Sequence, residues 1–225
     1  MPDLLQPLSD FEVPNLNFDA ASLNDPIAEQ TEWSPLVGGG NQTKTRIYKQ
    51  IGPDRVAFRP DPSVVAAVVV FFLAAVGCIG FTAYSFIRSG RFSLSPLPIV
   101  GTFMAVGCGY MIHRFFPPIM FDRRAGAFWN DWKSPEKVMR KDELKAYADF
   151  DDIHALQIIR EYCEERSSSS SGSSRTKRFY SYELNLVLAD GARINVTDHG
   201  NQSKIREDAK RLAAFLEKPL WDATR

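Results

Sequence analysis

The residues best suited to metal or acid–base chemistry are three histidines and a short acidic cluster. The chain has 225 residues, and its histidines are His113, His154 and His199. No two of them have the spacing of a metal-ligand pair, and no Cys-x-x-Cys or His-Glu-x-x-His motif occurs. We therefore expect no metal site at the histidines and interpret each of them as structural or interfacial.

Two groups of side chains could still support hydrolysis. Asp149, Asp151 and Asp152 stand together before an apolar segment, where carboxylates could hold a metal ion, although solvated turn residues are the commoner case. Asp198 precedes His199, but no serine or cysteine nucleophile motif accompanies this pair. The sequence favours a protein that is not an enzyme and that needs no metal or cofactor. The enzymatic alternative is a hydrolase that uses Asp149, Asp151 or His199.

The cysteines and one glycine-rich stretch are weaker candidates. Cys78, Cys108 and Cys163 are scattered, which rules out a disulfide framework, and we interpret Cys163 as an inert, small apolar residue. The stretch GGGNQTKT, residues 38–45, resembles a phosphate-binding loop, but Thr43 stands where that motif requires a glycine. We interpret it as a flexible linker.

Charge separates the N-terminal part of the chain from the rest. The whole chain carries 27 basic and 27 acidic residues, which argues against nucleic-acid binding through bulk positive charge. The first 43 residues instead hold seven acids and no Lys or Arg, a composition typical of a disordered tail. Its aromatic residues Phe11, Phe18 and Trp33 are predicted partner contacts; the alternative is a solvated spacer.

Two uncharged stretches indicate a membrane hairpin. Residues 62–87 and 92–112 contain no charged side chain, and the first is long enough to cross a hydrocarbon core of about 30 Å. The connector carries two basic residues, whereas the outer flanks carry nine, so the positive-inside rule places both termini in the cytoplasm. We expect an integral membrane protein with two spans, in a bacterial inner membrane. Neither span carries the charge that a transporter normally needs.

Small residues indicate how the two spans pack. They recur at helical spacing in both stretches, which allows close approach of backbones in lipid. The predicted packing residues are Ala74, Cys78, Gly101, Ala105 and Gly109. The same face could instead serve a homo-oligomer. Basic residues near the spans, Arg114, Arg123 and Arg124, are predicted lipid contacts, although topogenic charge alone would also account for them.

The C-terminal half reads as a small α+β domain. The pattern predicts strands in the stretches IMFDRRAGAFWNDW, DIHALQIIREYC and YSYELNLVLADGARINVT, with a serine-rich hairpin loop between the second and third, and an amphipathic helix from Ser203 to Leu216. We also expect a short hairpin at RIYKQIGPDRVAFRP, next to the first span. The predicted fold is a two-helix transmembrane hairpin plus a cytoplasmic antiparallel β-rich, pleckstrin-homology-like domain closed by a C-terminal helix. Its predicted parts are the disordered acidic tail with the juxtamembrane segment (residues 1–60), the transmembrane hairpin (61–118) and the cytoplasmic domain (119–225).

Residues 60–222 resemble uncharacterised bacterial two-span membrane proteins and, more distantly, the photosystem I assembly factor family. The resemblance rests on an F-D-R-x-x-G turn (Phe121 to Gly126), a D-I strand (Asp152 and Ile153) and a terminal A-x-x-L-A-x-F-L-x-x-P motif (Ala209 to Pro219). It implies a membrane-anchored assembly or scaffolding factor without catalysis.

The leading hypothesis is therefore a non-enzymatic, membrane-anchored interaction or assembly protein. It would present a cytoplasmic domain and tail to other proteins of a membrane complex. The alternative is a membrane-proximal sensor that binds an anionic lipid or a small ligand.

Overall fold

A computed structural model describes residues 18–36, 38, 40, 46–90, 96–168 and 174–224, and its α+β class agrees with the prediction. Phe11 lies outside the described residues. The helices and strands, in chain order, are α1 (Pro26–Gln30), β1 (Arg46–Gly52), β2 (Arg55–Pro60), α2 (Pro62–Ser89), α3 (Leu97–Phe115), β3 (Ile119–Asp122), β4 (Ala127–Asn130), β5 (Tyr147–Asp149), β6 (Ile153–Ser168), β7 (Ser174–Leu188), β8 (Arg193–His199), α4 (Gln202–Leu216) and β9 (Leu220–Asp222). Short 3-10 turns lie at Ala20–Leu23, Pro135–Lys137 and Lys141–Glu143.

The chain divides into two compact units. Unit 1 combines Met1–Thr43 with Ile153–Arg225, and unit 2 is Lys44–Asp152. This division differs from the three predicted parts, because the strands expected in one domain over 119–225 belong to two separate sheets. Strands β3, β4 and β5 of that predicted domain belong to one sheet with the hairpin that precedes α2, and β3 pairs directly with β2.

Unit 2 contains a five-stranded antiparallel sheet in the order β1-β2-β3-β4-β5. The predicted hairpin around Gly52 and Pro53 is confirmed as β1 and β2. The core of the sheet is aromatic: the ring of Phe121 lies 6.2 Å from that of Phe58 and 4.9 Å from that of Phe128. All three are fully buried, so this sheet has its own hydrophobic core.

The predicted turn between β3 and β4 is also confirmed, and Asp122 holds it together. The Asp122 carboxylate accepts hydrogen bonds from the backbone amides of Arg124 and Ala125 and from Arg55. Burial disfavours the charged form, but these donors outweigh it and hold the pKa of Asp122 below its usual range. Gly126 closes the turn at a φ of 60°, which favours glycine. The F-D-R-x-x-G motif is therefore a turn motif.

α2 and α3 lie between β2 and β3 in the sequence. Pro62 occupies the first turn of α2, Asp61 caps it by accepting from the Ser63 amide, and Gly90 ends it at a φ of 63°. Within the described ranges, α2 alone is long and apolar enough to cross a membrane, by length and composition. α3 has 19 residues and carries His113 and Arg114 in its last turn.

Unit 1 contains a four-stranded sheet in the order β8-β7-β6-β9, with β9 parallel to β6. β6 and β7 form one long hairpin that pairs as far as Ser168 and Ser174, so the strands extend into the predicted serine-rich loop. α4 buries the predicted apolar stripe, formed by Ile205, Ala209, Leu212, Phe215 and Leu216. Asn201, rather than the predicted Ser203, caps α4 by accepting from the Lys204 amide.

Residues 18–36 are part of unit 1, whereas their composition predicted a disordered tail. Their 3-10 turn and α1 pack on a cluster of buried residues formed by Ala28, Ala155, Val187 and Trp221. Hereafter we call residues 18–36 the N-terminal segment. Side chains alternate along a strand, so the opposite sheet face, with Leu156, Leu184 and Leu186, is left for α4. Both faces of the sheet are covered.

Candidate functional site

Polar side chains line the sheet face beneath the N-terminal segment. β6, β7 and β8 bring them together at paired register positions, for example Gln157 opposite Asn185 and Glu183 opposite Asp198. We call this set the polar face; its members are Gln157, Glu161, Glu183, Asn185, Arg193, Asn195 and Asp198. Gln157 and Asn185 are fully buried and Glu183 is 3% exposed, so these polar side chains do not face solvent.

The polar face binds the main chain of the residues that cross it. The Glu183 carboxylate accepts from the Leu36 amide at 3.0 and 3.2 Å, and Glu161 accepts from the Gly40 amide at 3.1 Å. Arg193 Nη1 donates to the Ser34 carbonyl at 2.7 Å, and Gln157 Nε2 donates to the Glu32 carbonyl at 3.0 Å. These hydrogen bonds are all made to main-chain amides and carbonyls, and Arg193 also pairs with the Glu32 carboxylate at 3.2 Å.

Gly40 closely approaches the same face of the sheet. A Cβ atom at this position would clash with the side chains of Ser181 and Cys163, and its φ of 29° also favours glycine. The glycine that the sequence analysis assigned to a flexible linker therefore lies against the sheet, where a larger residue does not fit.

Aromatic and charged side chains anchor the other end of the N-terminal segment. The rings of Phe18 and Trp33 are 4.3 Å apart, and Trp33 lies 5.9 Å from Trp221. His154 Nε2 lies 2.7 Å from a carboxylate oxygen of Asp25, and this contact lowers the pKa of Asp25. Phe18 and Trp33, predicted to contact partners, thus contact their own chain.

The electrostatics of the polar face are dominated by carboxylates. Burial, with the nearby charges of Glu183 and Glu161, raises the pKa of Asp198 to about 6, although Asn195 Nδ2 donates to it at 2.9 Å. Burial and Glu161 also raise the pKa of the Cys163 thiol to about 11, so it stays protonated at neutral pH.

The residues considered for hydrolysis are not brought together. Asp149 binds Lys141 and Tyr147 in unit 2, and Asp151 and Asp152 are exposed in the turn before β6. His199 lies in unit 1, where its Nδ1 accepts from the Asn201 amide at 2.7 Å. In the described part of the chain, no three His, Cys, Asp or Glu side chains form a group that could hold a metal ion.

The structure places the predicted helix-packing residues unequally. Gly101 is buried against α2, where an added Cβ would lie 2.7 Å from the Ala75 carbonyl oxygen and 3.1 Å from Cys78 Cβ. Ala105 is half-buried. Ala74 is exposed while its neighbour Ala75 is fully buried, and Gly109 is exposed with nothing within 4 Å of an added Cβ. The contact face thus includes the predicted Cys78 but has Ala75 in place of Ala74 on α2, and on α3 it does not reach Gly109.

Basic side chains gather around the last turn of α3. Arg46 donates to the Pro117 carbonyl at 2.8 Å and to the Phe115 carbonyl at 3.0 Å. Burial lowers the pKa of Arg46 to about 10. Burial also lowers the pKa of Lys145, as do the charges of Arg114 and Arg46, against the opposing effect of Asp131. We call Arg46, Arg114 and Lys145 the juxtamembrane basic cluster, because they lie at the end of the predicted second span.

An apolar cavity of about 340 Å³ lies against the same turn. Its wall comes from the first turns of α2 and the end of α3, and Arg59 and Trp132 also line it; the other lining residues are Pro60, Val65, Val68, Val69, Ile112, Phe116 and Pro118. The Trp132 indole donates to the His113 carbonyl at 3.0 Å and stacks on its imidazole, with ring centroids 6.5 Å apart. We call this space the juxtamembrane cavity.

The three predicted lipid contacts are separated in the structure. Arg114 belongs to the juxtamembrane basic cluster. Arg123 and Arg124 lie in the turn at the far end of β3, about 13 Å along the strand from Ile119, and Arg124 pairs with Asp54 at 3.0 Å. Arg46 and Lys145 were missed because they join Arg114 only through the fold.

In comparisons with protein-family models, with curated proteins and with solved structures, nothing matches the chain. The resemblance to bacterial two-span proteins and to the photosystem I assembly factor family therefore stays a prediction. The geometry of the two units is the basis for the function proposed next.

Proposed function

We propose that this protein is a non-enzymatic, membrane-anchored interaction or assembly protein, with α2 and α3 as its anchor and its folded units presented to a membrane complex. The exposed surface of the helices supports the anchor. Phe71, Leu73 and Phe81 are about 60% exposed on α2, and Phe103 is 75% exposed on α3. Exposure of such an apolar surface to water would be energetically unfavourable, whereas lipid chains can contact it directly.

The pairing of β2 with β3 is the observation that carries the proposed two-span topology. Phe58 pairs with Ile119, so the start of α2 and the end of α3 are held at the same edge of one sheet. A chain that crosses the bilayer through α2 must then return through α3, whose 19 residues span about 28 Å. The basic flanks favour the cytoplasm for the sheet and for both termini.

A labelling experiment tests this topology. The three native cysteines are replaced by serine, and single cysteines are introduced at Ser93→Cys in the connector and at Ser203→Cys in α4 as the matched control. In intact cells a membrane-impermeant maleimide should label the first variant only, and after permeabilisation both. Equal labelling of both positions in intact cells would contradict the two-span anchor.

The interaction role has its own test, in which the tagged full-length protein is isolated in mild detergent and its partners are identified by mass spectrometry. We expect one or two proteins at near-stoichiometric yield. Removal of residues 1–17 should reduce their yield if Phe11 and the acidic residues of that stretch contact them. A clean preparation without partners would contradict an assembly role.

A second candidate function, membrane-proximal sensing of an anionic lipid, is favoured by a specific observation. The juxtamembrane basic cluster and the juxtamembrane cavity border the same turn of α3. The positive charge suits the anionic headgroup of a phospholipid, and the apolar space suits its acyl chain.

A further inference from the structure

The juxtamembrane basic cluster holds more positive charge than the protein neutralises. Within the described residues, no carboxylate forms an ion pair with Arg46, Arg59, Arg114 or Lys145. Arg46 uses its donors on the carbonyls that end α3, a favourable position for a cation at a helix C-terminus. These hydrogen bonds satisfy the guanidinium of Arg46 only. Lys145 is still repelled by the positive charges of Arg114 and Arg46.

The juxtamembrane cavity supplies apolar space next to this charge. Val65, Val68 and Val69 are side chains of the first two turns of α2, and Ile112 and the C-cap residue Phe116 lie one turn apart at the end of α3. A volume of about 340 Å³ is within the range of small-molecule sites. Arg59 and Trp132 line it as well, and these two residue types are typical of the level of lipid headgroups.

We propose that the juxtamembrane cavity binds an acyl chain of an anionic phospholipid, with Arg59 contacting the phosphate and the juxtamembrane basic cluster favouring a net negative headgroup. This inference rests on the proposed membrane anchoring and deepens the second candidate function. It replaces Arg123 and Arg124 as lipid contacts by Arg46, Arg59 and Lys145, and it retains Arg114. A bound headgroup would offset the repulsion around Lys145, since near a bilayer each basic residue adds a favourable interaction with anionic lipid.

The test uses the delipidated full-length protein in mild detergent, titrated with phosphatidylglycerol or phosphatidylcholine and followed by thermal melting and native mass spectrometry. Phosphatidylglycerol should bind about tenfold more tightly than phosphatidylcholine. Arg59→Gln should reduce this preference about fivefold. The matched control Arg124→Gln, in the far turn, should leave it unchanged. Equal binding of the two lipids, or equal effects of the two variants, would overturn the inference.

A second pair of variants tests the cavity itself. Val68→Trp places an indole in the cavity and should abolish retention of either lipid, whereas Val70→Trp, on the exposed side of α2, should retain both. Equal retention by the two variants would exclude the cavity as the chain site. Inorganic phosphate at the same concentration should not stabilise the protein. If it does, the basic residues bind a soluble anion, and the lipid site is overturned.

Failure of the anchor and failure of the lipid site are distinguishable. Release of the protein from membranes by alkaline carbonate would contradict the anchoring on which the inference rests. Retention in carbonate-washed membranes together with equal binding of the two lipids would overturn the lipid site alone.

Discussion

At the scale of single residues, Gly101 decides how closely α2 and α3 approach. Gly101→Leu would force side-chain atoms against the Ala75 carbonyl oxygen, a backbone atom that cannot move independently. We expect a loss of about 1–3 kcal/mol in the free energy of unfolding and a lower melting temperature in detergent.

Gly109→Leu is the matched control for Gly101, because a side chain at Gly109 meets open space. It should leave the melting temperature of the monomer unchanged. If Gly109→Leu alone changes the oligomeric state in cross-linking, that side of α3 serves a homo-oligomer. Equal destabilisation by the two substitutions would contradict the observed packing face.

Asp198 gives unit 1 a defined pH dependence. Its folded pKa, about 6, lies above the usual value of 3.8, so between roughly pH 4 and 6 the folded state binds more protons than the unfolded state. The free energy of unfolding should therefore fall as the pH rises through this window and then level off.

Asp198→Asn keeps the oxygen that accepts from Asn195 and removes the charge. Because Asp198 is half-buried, we expect a gain of about 1–2 kcal/mol at pH 7.5 and a flatter profile between pH 4 and 6. Thermal melting of the full-length protein over pH 4–8 measures both effects. A destabilised Asp198→Asn at pH 7.5 would show that the carboxylate is favourable where it lies.

At the scale of elements, the N-terminal segment is held by its aromatic side chains and by the polar face. Trp33→Ala removes the contacts with Phe18 and Trp221 and the hydrogen bond from its indole to the Ala28 carbonyl. We expect a loss of about 2–4 kcal/mol in local stability and faster proteolysis within residues 18–36.

Leu36→Ala is the matched control for Trp33. The Leu36 side chain is 41% exposed, and the substitution keeps the amide that donates to Glu183. Limited proteolysis followed by mass spectrometry should detect a change in Trp33→Ala only. Identical cleavage of both variants would mean that the backbone contacts alone hold the N-terminal segment.

The elements also explain which parts of the fold were predictable. Helices α2 and α3, the β1–β2 hairpin, the β3–β4 turn and the apolar stripe of α4 follow from local patterns of apolar, polar and turn residues. The alternation of β7 predicted a strand but not the burial of its polar positions, and the composition of residues 18–36 predicted disorder. Both failed for one reason: residues 18–36 and the polar face of the sheet satisfy each other's polar groups, but they are far apart in the sequence. A local pattern in one of them holds no information about the other. The clustering of Arg46 with Lys145 was unpredictable in the same way.

At the scale of the whole molecule, unit 1 is built from two stretches that flank unit 2 in the sequence. Residues 153–225 alone would expose Ala155, Val187 and Trp221, the cluster that the N-terminal segment covers. We expect this fragment to be poorly stable and to bind a hydrophobic dye.

A peptide of residues 18–40 should restore the fragment. At a concentration of 100 Kd it should add about 2.7 kcal/mol to the free energy of unfolding, measured as a rise in melting temperature. The same peptide with Asp25→Asn and Trp33→Ala should have little effect. A fragment that is equally stable with and without the intact peptide would contradict the role of the N-terminal segment in unit 1.

The two-stretch origin of unit 1 also sets an order of events during translation. The N-terminal segment leaves the ribosome first, but its sheet follows only after the roughly 110 residues of unit 2, an interval of about 5–20 s. During that time the proposed anchor helices α2 and α3 are synthesised, while Trp33 has no surface to pack on. Docking of the N-terminal segment therefore has to wait until its sheet has been synthesised, and a nascent chain arrested before β6 would leave this segment open to quality-control proteases.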